Sequence, residues 1–485
     1  MSAAIEGLKP ELVWKYFAAI SRIPRGSKNE AAAGRYVLDT AKKLGLEAIK
    51  DAFGNVVVRK PASAGRGHVR SVALQGHLDM VCEKNKDKVH DFLKDPIELV
   101  RKDNLLMANG TTLGADNGVA VATMLAVMED RALEHGPLEL LFTVDEETGL
   151  TGASNLSSDF LKSRVLLNLD SEEEGELTVG CSGGRDTRGI WKISLADAPA
   201  KLAPVQVKVS GLKGGHSGIE IDKGRGNAIK IMARALHILS ALEGRLATIE
   251  GGNKHNAIPR ECDAVVLLPS QNLEQAGKSI SGLNDTVKAE FGGVEPDLFI
   301  SLTAISSRKK WKVMGKADQR RILQTLSALP HGVIKMSADI PGLVETSTNL
   351  AVIKTARNSV KTVTSQRSSV ASELDEIVET VSSIFGLGGA AVENTDGYPG
   401  WKPNMDSAIL KTAKSAYRSL YGKDPLVKAI HAGLECGVIG ERIPGMDMVS
   451  FGPTLQAVHS PEERIHIDTV DKFWAFLLEI LRIVD

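Results

Sequence analysis

Three mostly apolar runs in the N-terminal part of the chain predict buried strands. They cover residues 69–74, 138–144 and 165–169, and predominantly apolar stretches of this length are typical of strands that are covered on both faces. Polar residues follow each run within a few positions. Because α/β proteins bind ligands at the carboxyl ends of their strands, the pattern predicts a functional site where these runs end.

The polar residues at the strand ends are a histidine and several carboxylates. The first run leads to His77 and Asp79, the second to three acids that include Glu146 and Glu147, and the third to Asp170. A strand buried on both faces is not expected to end in three carboxylates unless the protein uses them. Taken one at a time, each of these residues also fits a solvated loop or a single polar strand end.

Helical patterns accompany the apolar runs. The segment TTLGADNG, residues 111–118, precedes a long apolar helix over residues 119–128, so Asp116 lies at a helix N-terminus, which stabilises negative charge. A simple helix cap is the alternative interpretation of Asp116. Earlier in the chain, Ser27 and Glu30 predict a capping box for a helix.

After the third apolar run, the predicted strands are no longer followed by acidic residues. Residues 180–184, GCSGG, predict a flexible joint, and residues 186–400 show amphipathic strands and helices in two similar αβ rounds. The Gly- and Pro-rich residues 394–403 predict a return joint, after which the first pattern resumes. We therefore predict one domain built from residues 1–185 and 401–485, into which the middle segment is inserted.

Length and composition exclude several classes of protein. The chain has 485 residues, which favours two or more domains. Its 59 Lys and Arg residues balance 60 Asp and Glu residues, which gives no electrostatic case for binding nucleic acid or an anionic membrane. No secretion signal or transmembrane segment is visible, and the cysteines are too far apart for a disulfide framework or a cysteine zinc site. The sequence therefore predicts a cytoplasmic protein.

Histidine and carboxylate side chains without cysteine suit a hydrolytic zinc, cobalt or manganese centre. The candidate ligands, each at a strand end or in a loop, are His77, Asp116, Glu147, Asp170 and His459. A shared carboxylate can hold two metal ions, and three carboxylates opposite two divalent ions would leave one positive charge. Glu146 would then remain beside the metals as a base. Because strand side chains alternate, Asp79 points the same way as the ligand histidine and can orient its imidazole.

These residues fall in short blocks that resemble one enzyme family. The blocks are GHLDM (76–80), GADNG (114–118), DEETG (145–149), NLD (168–170), GGHSG (214–218) and the late His459. In this order they are similar to the metallopeptidase family that includes carboxypeptidase G2, aminoacylases and dinuclear-zinc dipeptidases. The block HAGLECG (431–437) and the long middle segment indicate a dipeptidase branch of that family.

The resemblance implies a fold and a metal centre. The fold would be α/β, a zinc-peptidase-like mixed sheet flanked by helices, with residues 186–400 as an inserted α+β lid domain. His77 and Asp170 would hold one metal ion. Glu147 and His459 would hold the other, and the carboxylate between them, Asp116, would bridge. The expected metal is Zn²⁺, with Co²⁺ or Mn²⁺ as alternatives.

The resemblance also implies how the reaction runs. Asp79 would orient the adjacent ligand histidine, and Glu146 would act as the general base that activates a metal-bridging water and passes the proton to the leaving amine. His216 on the lid would stabilise the tetrahedral oxyanion. Asn256 and Arg367 would hold the C-terminal carboxylate of the substrate. For Arg367, a surface arginine at the start of a helix is the alternative interpretation.

The expected substrates are unblocked dipeptides, including Xaa-His, and the expected assembly is a homodimer. An aminoacylase or tripeptidase of the same family is the alternative function, because such enzymes share every metal ligand. A non-catalytic relative is a further alternative, but it would be expected to lack at least one of these residues. The resemblance also predicts a cis peptide bond between Asp116 and Asn117.

Overall fold

The computed structural model describes residues 3–306 and 310–485. The chain folds into two compact units. Unit 1 comprises residues 1–181, 401–429 and 434–485, and unit 2 comprises residues 182–400 and 430–433. Along the chain, unit 2 therefore interrupts unit 1. The domain boundaries drawn from the sequence stay a prediction.

The first segment of unit 1 alternates short strands and helices. Its elements, after a 3₁₀ turn at Ala3–Ile5, are α1 (Glu11–Ile20), α2 (Ala31–Leu44), β1 (Glu47–Lys50), β2 (Val56–Lys60), β3 (Val72–His77), β4 (Leu99–Lys102), β5 (Leu105–Ala108), α3 (Ala115–Glu129), β6 (Leu138–Thr143), α4 (Glu146–Gly149), α5 (Thr151–Ser154), β7 (Val165–Asn168) and β8 (Glu176–Cys181). Helix α3 is buried on all sides from Asn117 to Met128, which explains why its sequence has no polar face.

Unit 2 contains longer strands and helices of its own. Its elements are β9 (Gly183–Lys192), β10 (Leu195–Asp197), β11 (Leu202–Ser210), β12 (Gly215–His216), α6 (Ala228–Ala241), β13 (Arg245–Gly251), β14 (Ala257–Ile258), β15 (Cys262–Pro269), a 3₁₀ turn (Ser270–Asn272), α7 (Leu273–Phe291), β16 (Phe299–Ala304), β17 (Lys312–Met314), α8 (Lys316–Ala328), β18 (Gly332–Met336), β19 (Val344–Ala356), β20 (Ser359–Ser368), α9 (Ala371–Leu387) and β21 (Ala391–Asn394).

The end of the chain returns to unit 1. Its elements are α10 (Ala408–Tyr421), β22 (Leu426–Ile430), α11 (Glu435–Arg442), β23 (Asp447–Ser450), β24 (Leu455–Gln456), β25 (Arg464–His466) and α12 (Ile467–Ile483). One stripe of α12, which includes Val470, Phe473, Leu477 and Leu481, is buried in the core as its spacing predicts. Among the described helices, none is long and apolar enough to cross a membrane.

The main sheet of unit 1 brings several strand ends to one edge. Its strand order is β1-β2-β6-β3-β7-β23-β8-β22, and β3 runs parallel to β6 and β7, as β23 does to β7. His77 at the end of β3 lies opposite Thr143 of β6. Strands β3, β6 and β7 are buried along their whole lengths, as their apolar runs predict. The predicted α/β class with a mixed sheet and flanking helices is confirmed.

The main sheet of unit 2 is antiparallel and carries a shared core. Its strand order is β16-β11-β15-β13-β19-β20-β9-β21, with β18 paired to β19. Helix α6 buries Ile229, Met232, Leu236 and Leu239 at helical spacing, and residues of α7, α8 and α9 join the same cluster. Full burial of one such side chain is worth about 1.5–3 kcal/mol. Both αβ rounds of unit 2 therefore contribute to one apolar core.

The predicted capping box is wrong. Helix α2 begins at Ala31, and the preceding Glu30 makes no side-chain cap. The Ser27 hydroxyl instead donates to Asp79 Oδ2 at 2.8 Å, while Glu30 Oε1 accepts the backbone N–H of Asp145 at 3.0 Å. Ser27 and Glu30, which the sequence assigns to a helix N-terminus, therefore form hydrogen bonds with residues that follow β3 and β6.

Residues 180–184, predicted as a flexible joint, include the point in the chain where unit 1 gives way to unit 2. Strand β8 ends at Cys181 and β9 begins at Gly183, so these residues are extended and buried. A Cβ on Gly183 would lie 2.6 Å from the backbone nitrogen of Gly400. A glycine in a strand often marks such a close approach of another backbone segment. This glycine therefore permits the close packing of the Gly400 segment against β9.

Candidate metal centre

The candidate ligands come from strand ends and from two turns with unusual backbone angles. His77 is the last residue of β3, and Asp170 follows β7 by two positions. The chain turns at Asp145, with φ 52°, and so brings Glu147 into α4. His459, with φ 62°, lies in the loop between β24 and β25. Non-glycine residues with positive φ are uncommon and cluster at functional sites.

Asp116 lies between the two candidate histidine ligands. Its Oδ1 is 3.0 Å from His77 Nε2, and its Oδ2 is 3.1 Å from His459 Nε2. His77 Nε2 is also 3.5 Å from Asp170 Oδ1, and His459 Nε2 is 3.0 Å from Glu147 Oε2. The structure thus brings the candidate ligands together as two groups that share Asp116.

Two glycines of the GADNG block make room for a buried arginine. A Cβ on Gly114 or on Gly118 would lie 2.6 Å from Arg25 Nη2. The Arg25 guanidinium donates to the backbone carbonyls of Leu78 and Asp79 at 3.0 and 2.8 Å, and to that of Gly114. Arg25 therefore joins the end of β3 to the loop before α3.

The Asp116–Asn117 peptide bond is cis, as the resemblance predicts. Asn117 Oδ1 accepts the backbone N–H of His77 at 3.3 Å, and its Nδ2 donates to the carbonyl of Leu169 at 3.0 Å. A Cβ on Gly76 would lie 2.4 Å from this Oδ1. Asn117 therefore ties the loop that carries Asp116 to the ends of β3 and β7.

Asp79 contacts the second ring nitrogen of His77, with 3.3 Å between Oδ1 and Nδ1. It also accepts the backbone N–H groups of Glu146 and Glu147 at 3.1 and 3.2 Å. Burial alone would raise the pKa of Asp79, but hydrogen bonds and the charge of His77 lower it to about 2. An ionised carboxylate on Nδ1 fixes the imidazole tautomer and leaves Nε2 available as a ligand.

Burial and neighbouring charges shift the pKa values of several residues at the site. Burial raises the pKa of Asp170 to about 6 and raises the pKa of Glu146 well above its ordinary value. Hydrogen bonds to Asp116 and Glu147 raise the pKa of His459 to about 11. The raised pKa of His459 reflects the negative charge of the neighbouring carboxylates, which favours bound cations.

The donor set fits two divalent metal ions. Within residues 3–306 and 310–485, no Lys or Arg side chain forms an ion pair with any of the candidate ligands. In the same part of the chain, the buried Oε1 of Glu147 has no hydrogen-bond partner. Buried carboxylates are normally paired or coordinate metals, and imidazole and carboxylate are suitable ligands for zinc, cobalt or manganese.

Sequence reasoning missed Glu463, which lies beside this centre. Its carboxylate accepts four consecutive backbone N–H groups, those of Leu113, Gly114, Ala115 and Asp116, at 2.7, 2.9, 2.7 and 3.2 Å. Its side chain is only 2% exposed. The sequence signal was an acid four positions after a candidate ligand, but the partners are backbone groups that no residue type reveals.

A second buried acid, Glu435, had no role assigned from the sequence. It is fully buried and accepts Gln75 Nε2 at 2.6 Å and the Thr143 hydroxyl at 2.7 Å. Burial raises its pKa to about 7. Gln75 lies two residues before the end of β3, and Thr143 is the last residue of β6, so Glu435 connects the carboxyl ends of these two strands.

The candidate oxyanion donor His216 lies on β12 of unit 2. Its Nδ1 accepts the backbone N–H groups of Gly218 and Ile219, both at 3.2 Å. Burial and the nearby Arg367 lower the pKa of His216 to about 4, so the ring is neutral at physiological pH. Because Nδ1 is the acceptor, the single ring proton lies on Nε2, which is therefore a donor.

Arg367 lies within β20 and is not a surface residue at a helix start, so that alternative interpretation is wrong. Its side chain is 6% exposed, and its Nη1 donates to the Tyr398 hydroxyl at 2.7 Å. No carboxylate of the described residues forms an ion pair with it.

Asn256 is half-buried just before β14, and its carbonyl accepts the N–H of Ser217 at 2.9 Å. His216, Asn256 and Arg367 thus all belong to unit 2, whereas the candidate metal ligands belong to unit 1.

Known proteins resemble this chain over nearly its whole length. Residues 73–483 match the model of peptidase family M20/M25/M40. The chain is 39% identical over 477 residues to the cytosol non-specific dipeptidase of Escherichia coli K12, covering 98% of each chain. The crystal structure of aminoacylhistidine dipeptidase from Vibrio alginolyticus matches with a TM-score of 0.92 and 41% identity, over 99% of this chain and 98% of that one.

A more distant structure shares only the fold. The aminopeptidase PepT of Bacillus cereus matches with a TM-score of 0.58 and 17% identity, over 98% of each chain. The family match covers both the strand ends that carry the first ligands and the loop that carries His459. The metallopeptidase resemblance predicted from the sequence blocks is confirmed: this chain belongs to peptidase family M20/M25/M40.

Proposed function

We propose that this protein is a metal-dependent dipeptidase that hydrolyses unblocked dipeptides, Xaa-His among them. The observation that carries the proposal is the carboxylate of Asp116, which has one oxygen near His77 and the other near His459. The relatives that cover the whole chain support the peptide substrate, since they are named as dipeptidases. Their names also favour a dipeptidase over an aminoacylase or a tripeptidase.

The proposed ligands form two sets. His77 and Asp170 would hold one ion, Glu147 and His459 would hold the other, and Asp116 would be shared. Zn²⁺ is the proposed metal, and Co²⁺ or Mn²⁺ suits the same donors. Bound divalent ions would polarise the scissile carbonyl and lower the pKa of water.

Glu146 is the proposed general base and acid. It is adjacent to a ligand in sequence, and its oxygen lies within 4.8 Å of ligand atoms of His77 and Glu147. A carboxylate so close to the centre can take a proton from the attacking water and return it to the leaving amine. Asp79 would orient both His77 and the backbone from which Glu146 projects.

Unit 2 would supply the groups that bind the rest of the substrate. The neutral His216 carries its proton on Nε2 and is proposed to donate to the developing oxyanion. Arg367 is a buried cation without a carboxylate partner in the described chain, which suits recognition of the substrate's terminal carboxylate. Asn256 is proposed to donate its amide N–H to the same carboxylate.

We also propose a cytosolic location and a homodimeric assembly. The name of the Escherichia coli relative supports the location. The assembly follows from the resemblance of the sequence blocks, and size-exclusion chromatography with light scattering would measure it.

Metal analysis followed by a substrate panel tests the function. The purified protein is expected to hold two divalent ions per chain, to lose activity on treatment with a chelator, and to regain activity with added Zn²⁺, Co²⁺ or Mn²⁺. The panel compares dipeptides that include Xaa-His, tripeptides, and N-acetyl amino acids, with Asp116→Asn protein as the control for contaminating peptidases. Hydrolysis of N-acetyl amino acids without cleavage of dipeptides would replace the dipeptidase by an aminoacylase.

A further inference from the structure

The carboxylate of Glu463 occupies a concave array of backbone donors. The N–H groups of residues 113–116 all point at it, at 2.7 to 3.2 Å. Successive N–H groups that converge in this way form an anion-binding site within the backbone. Each Glu463 oxygen accepts two of them, so the side chain has no freedom to rotate.

Arg25 holds the same loop from another direction. It donates to the carbonyl of Gly114 and to the carbonyls of Leu78 and Asp79 at the end of β3. The charges of Glu463 and Arg25 attract each other, so neither is buried without compensation. The loop before α3 is therefore fixed through its N–H groups by an anion and through a carbonyl by a cation.

Glu463 also belongs to the loop that carries His459. Within that loop, the Glu463 N–H donates to the carbonyl of Ser460 at 3.1 Å, and the Ser460 hydroxyl donates to the carbonyl of Ala457 at 2.7 Å. These bonds make residues 457–463 a compact turn. His459 and Glu463 therefore belong to one hydrogen-bonded turn, and Glu463 is also bound to the loop of Asp116.

We propose that Glu463 is a positioning residue that ties the loop of His459 to the loop of Asp116 and so sets the separation of these two side chains for the metal they would share. The proposal rests on the proposed function, since it needs both residues to be ligands. Glu463 acts through backbone groups and touches neither substrate nor metal. Residues that orient metal ligands in this way typically change metal affinity by about 10- to 100-fold when they are replaced.

Glu463→Gln is the informative substitution. The amide keeps the size of the side chain, but its NH₂ group replaces one acceptor oxygen and faces two N–H donors. Glu463→Asp keeps the charge but shortens the side chain, so it cannot reach all four N–H groups at once. Glu462→Gln is the matched control, because Glu462 is exposed, lies one position away and loses the same charge.

The test is a titration of the metal-free full-length protein with Co²⁺, followed by visible absorption and calorimetry. Wild-type protein and Glu462→Gln are expected to bind two Co²⁺ ions per chain with the same affinities. In Glu463→Gln and Glu463→Asp, one of the two sites is expected to weaken by about 10- to 100-fold. Because the loss acts through His459, adding Glu463→Gln to His459→Ala is expected to weaken that site little further.

The outcomes separate the two proposals. Equal affinities in wild-type protein and in both Glu463 variants would make Glu463 a purely structural residue and overturn the positioning role. Full additivity with His459→Ala would overturn it as well. Wild-type protein that binds no Co²⁺ would instead overturn the proposed function, and the positioning role with it. If Glu463→Gln does not fold, as judged by circular dichroism, the charge-conserving Glu463→Asp decides.

Discussion

Glu147 and His459 are in contact, with 3.0 Å between Glu147 Oε2 and His459 Nε2. The preceding residue, Glu146, makes no contact with His459 among the described ion pairs. The backbone N–H groups of both glutamates donate to Asp79. Two adjacent carboxylates with a common backbone anchor are thus directed to different neighbours, which predicts different roles.

Glu146→Gln is expected to retain both metal ions and to lower kcat by about 10²–10⁴-fold, the usual contribution of a general base. Glu147→Gln is expected to lower metal content, because it removes a ligand oxygen. Metal analysis by mass spectrometry, together with kcat on one dipeptide, separates the two. The same metal content in both variants would contradict this division of roles.

His216→Ala is expected to lower kcat by about 10²–10³-fold without loss of metal, the range for removal of one oxyanion donor. His237→Ala is the control, since His237 is an exposed histidine on a helix of the same unit. A near-normal kcat in His216→Ala would make this histidine structural. Recovery of activity on mixing Glu146→Ala with His216→Ala protein would indicate that the histidine acts across a subunit interface.

Arg367→Met is expected to raise KM for dipeptides at least tenfold and yet to leave the melting temperature unchanged or higher. The reason is that a buried guanidinium without a carboxylate partner is costly in the free protein, and an apolar side chain of similar length removes that cost. Arg188→Met, at an exposed position on β9, is the control. A lower melting temperature with an unchanged KM would assign Arg367 to the fold instead.

The contribution of His331 to the stability of the protein is expected to fall as the pH is lowered from about 6.5 towards 4. Burial lowers the pKa of His331 to about 4, so between these pH values the unfolded chain binds a proton at His331 that the folded chain does not. The stabilisation is therefore complete above the unfolded pKa and is lost as pH falls.

Denaturant unfolding at several pH values measures this effect. His331→Asn keeps an acceptor for Asn227 Nδ2, which is 3.3 Å from His331 Nδ1, but cannot titrate. Its pH slope is expected to be smaller than that of the wild type, by up to about 1.4 kcal/mol per pH unit. Parallel slopes in the two proteins would show that His331 does not contribute.

The sequence predicts the strands that carry the ligands because burial on both faces demands a predominantly apolar run, and a ligand then lies within three residues of the end of that run. His77 and Asp170 are found in this way. Arg25 and Glu463 are not, since their partners are backbone N–H and C=O groups that every residue possesses. The burial of Arg367 escaped prediction as well, because one arginine near a helix start has the same local pattern whether it is covered or not.

The capping box failed for a related reason. Ser27 and Glu30 have the spacing that a helix N-terminus favours, but tertiary contacts with Asp79 and with the backbone of Asp145 compete for the same side chains. Local sequence rules consider only the hydrogen bonds between a side chain and the backbone close to it in sequence. Where a distant segment offers a better partner, these rules give the wrong contact.

His459 follows Asp116 by 343 positions in the chain, and unit 2 is translated between them. On the proposed roles, a ribosome that has made only the first 450 residues carries a nascent chain that lacks one ligand of the second metal. Such a chain cannot complete its metal centre, however much metal the cell provides. The order of the segments therefore delays completion of the proposed metal centre until His459 has been translated.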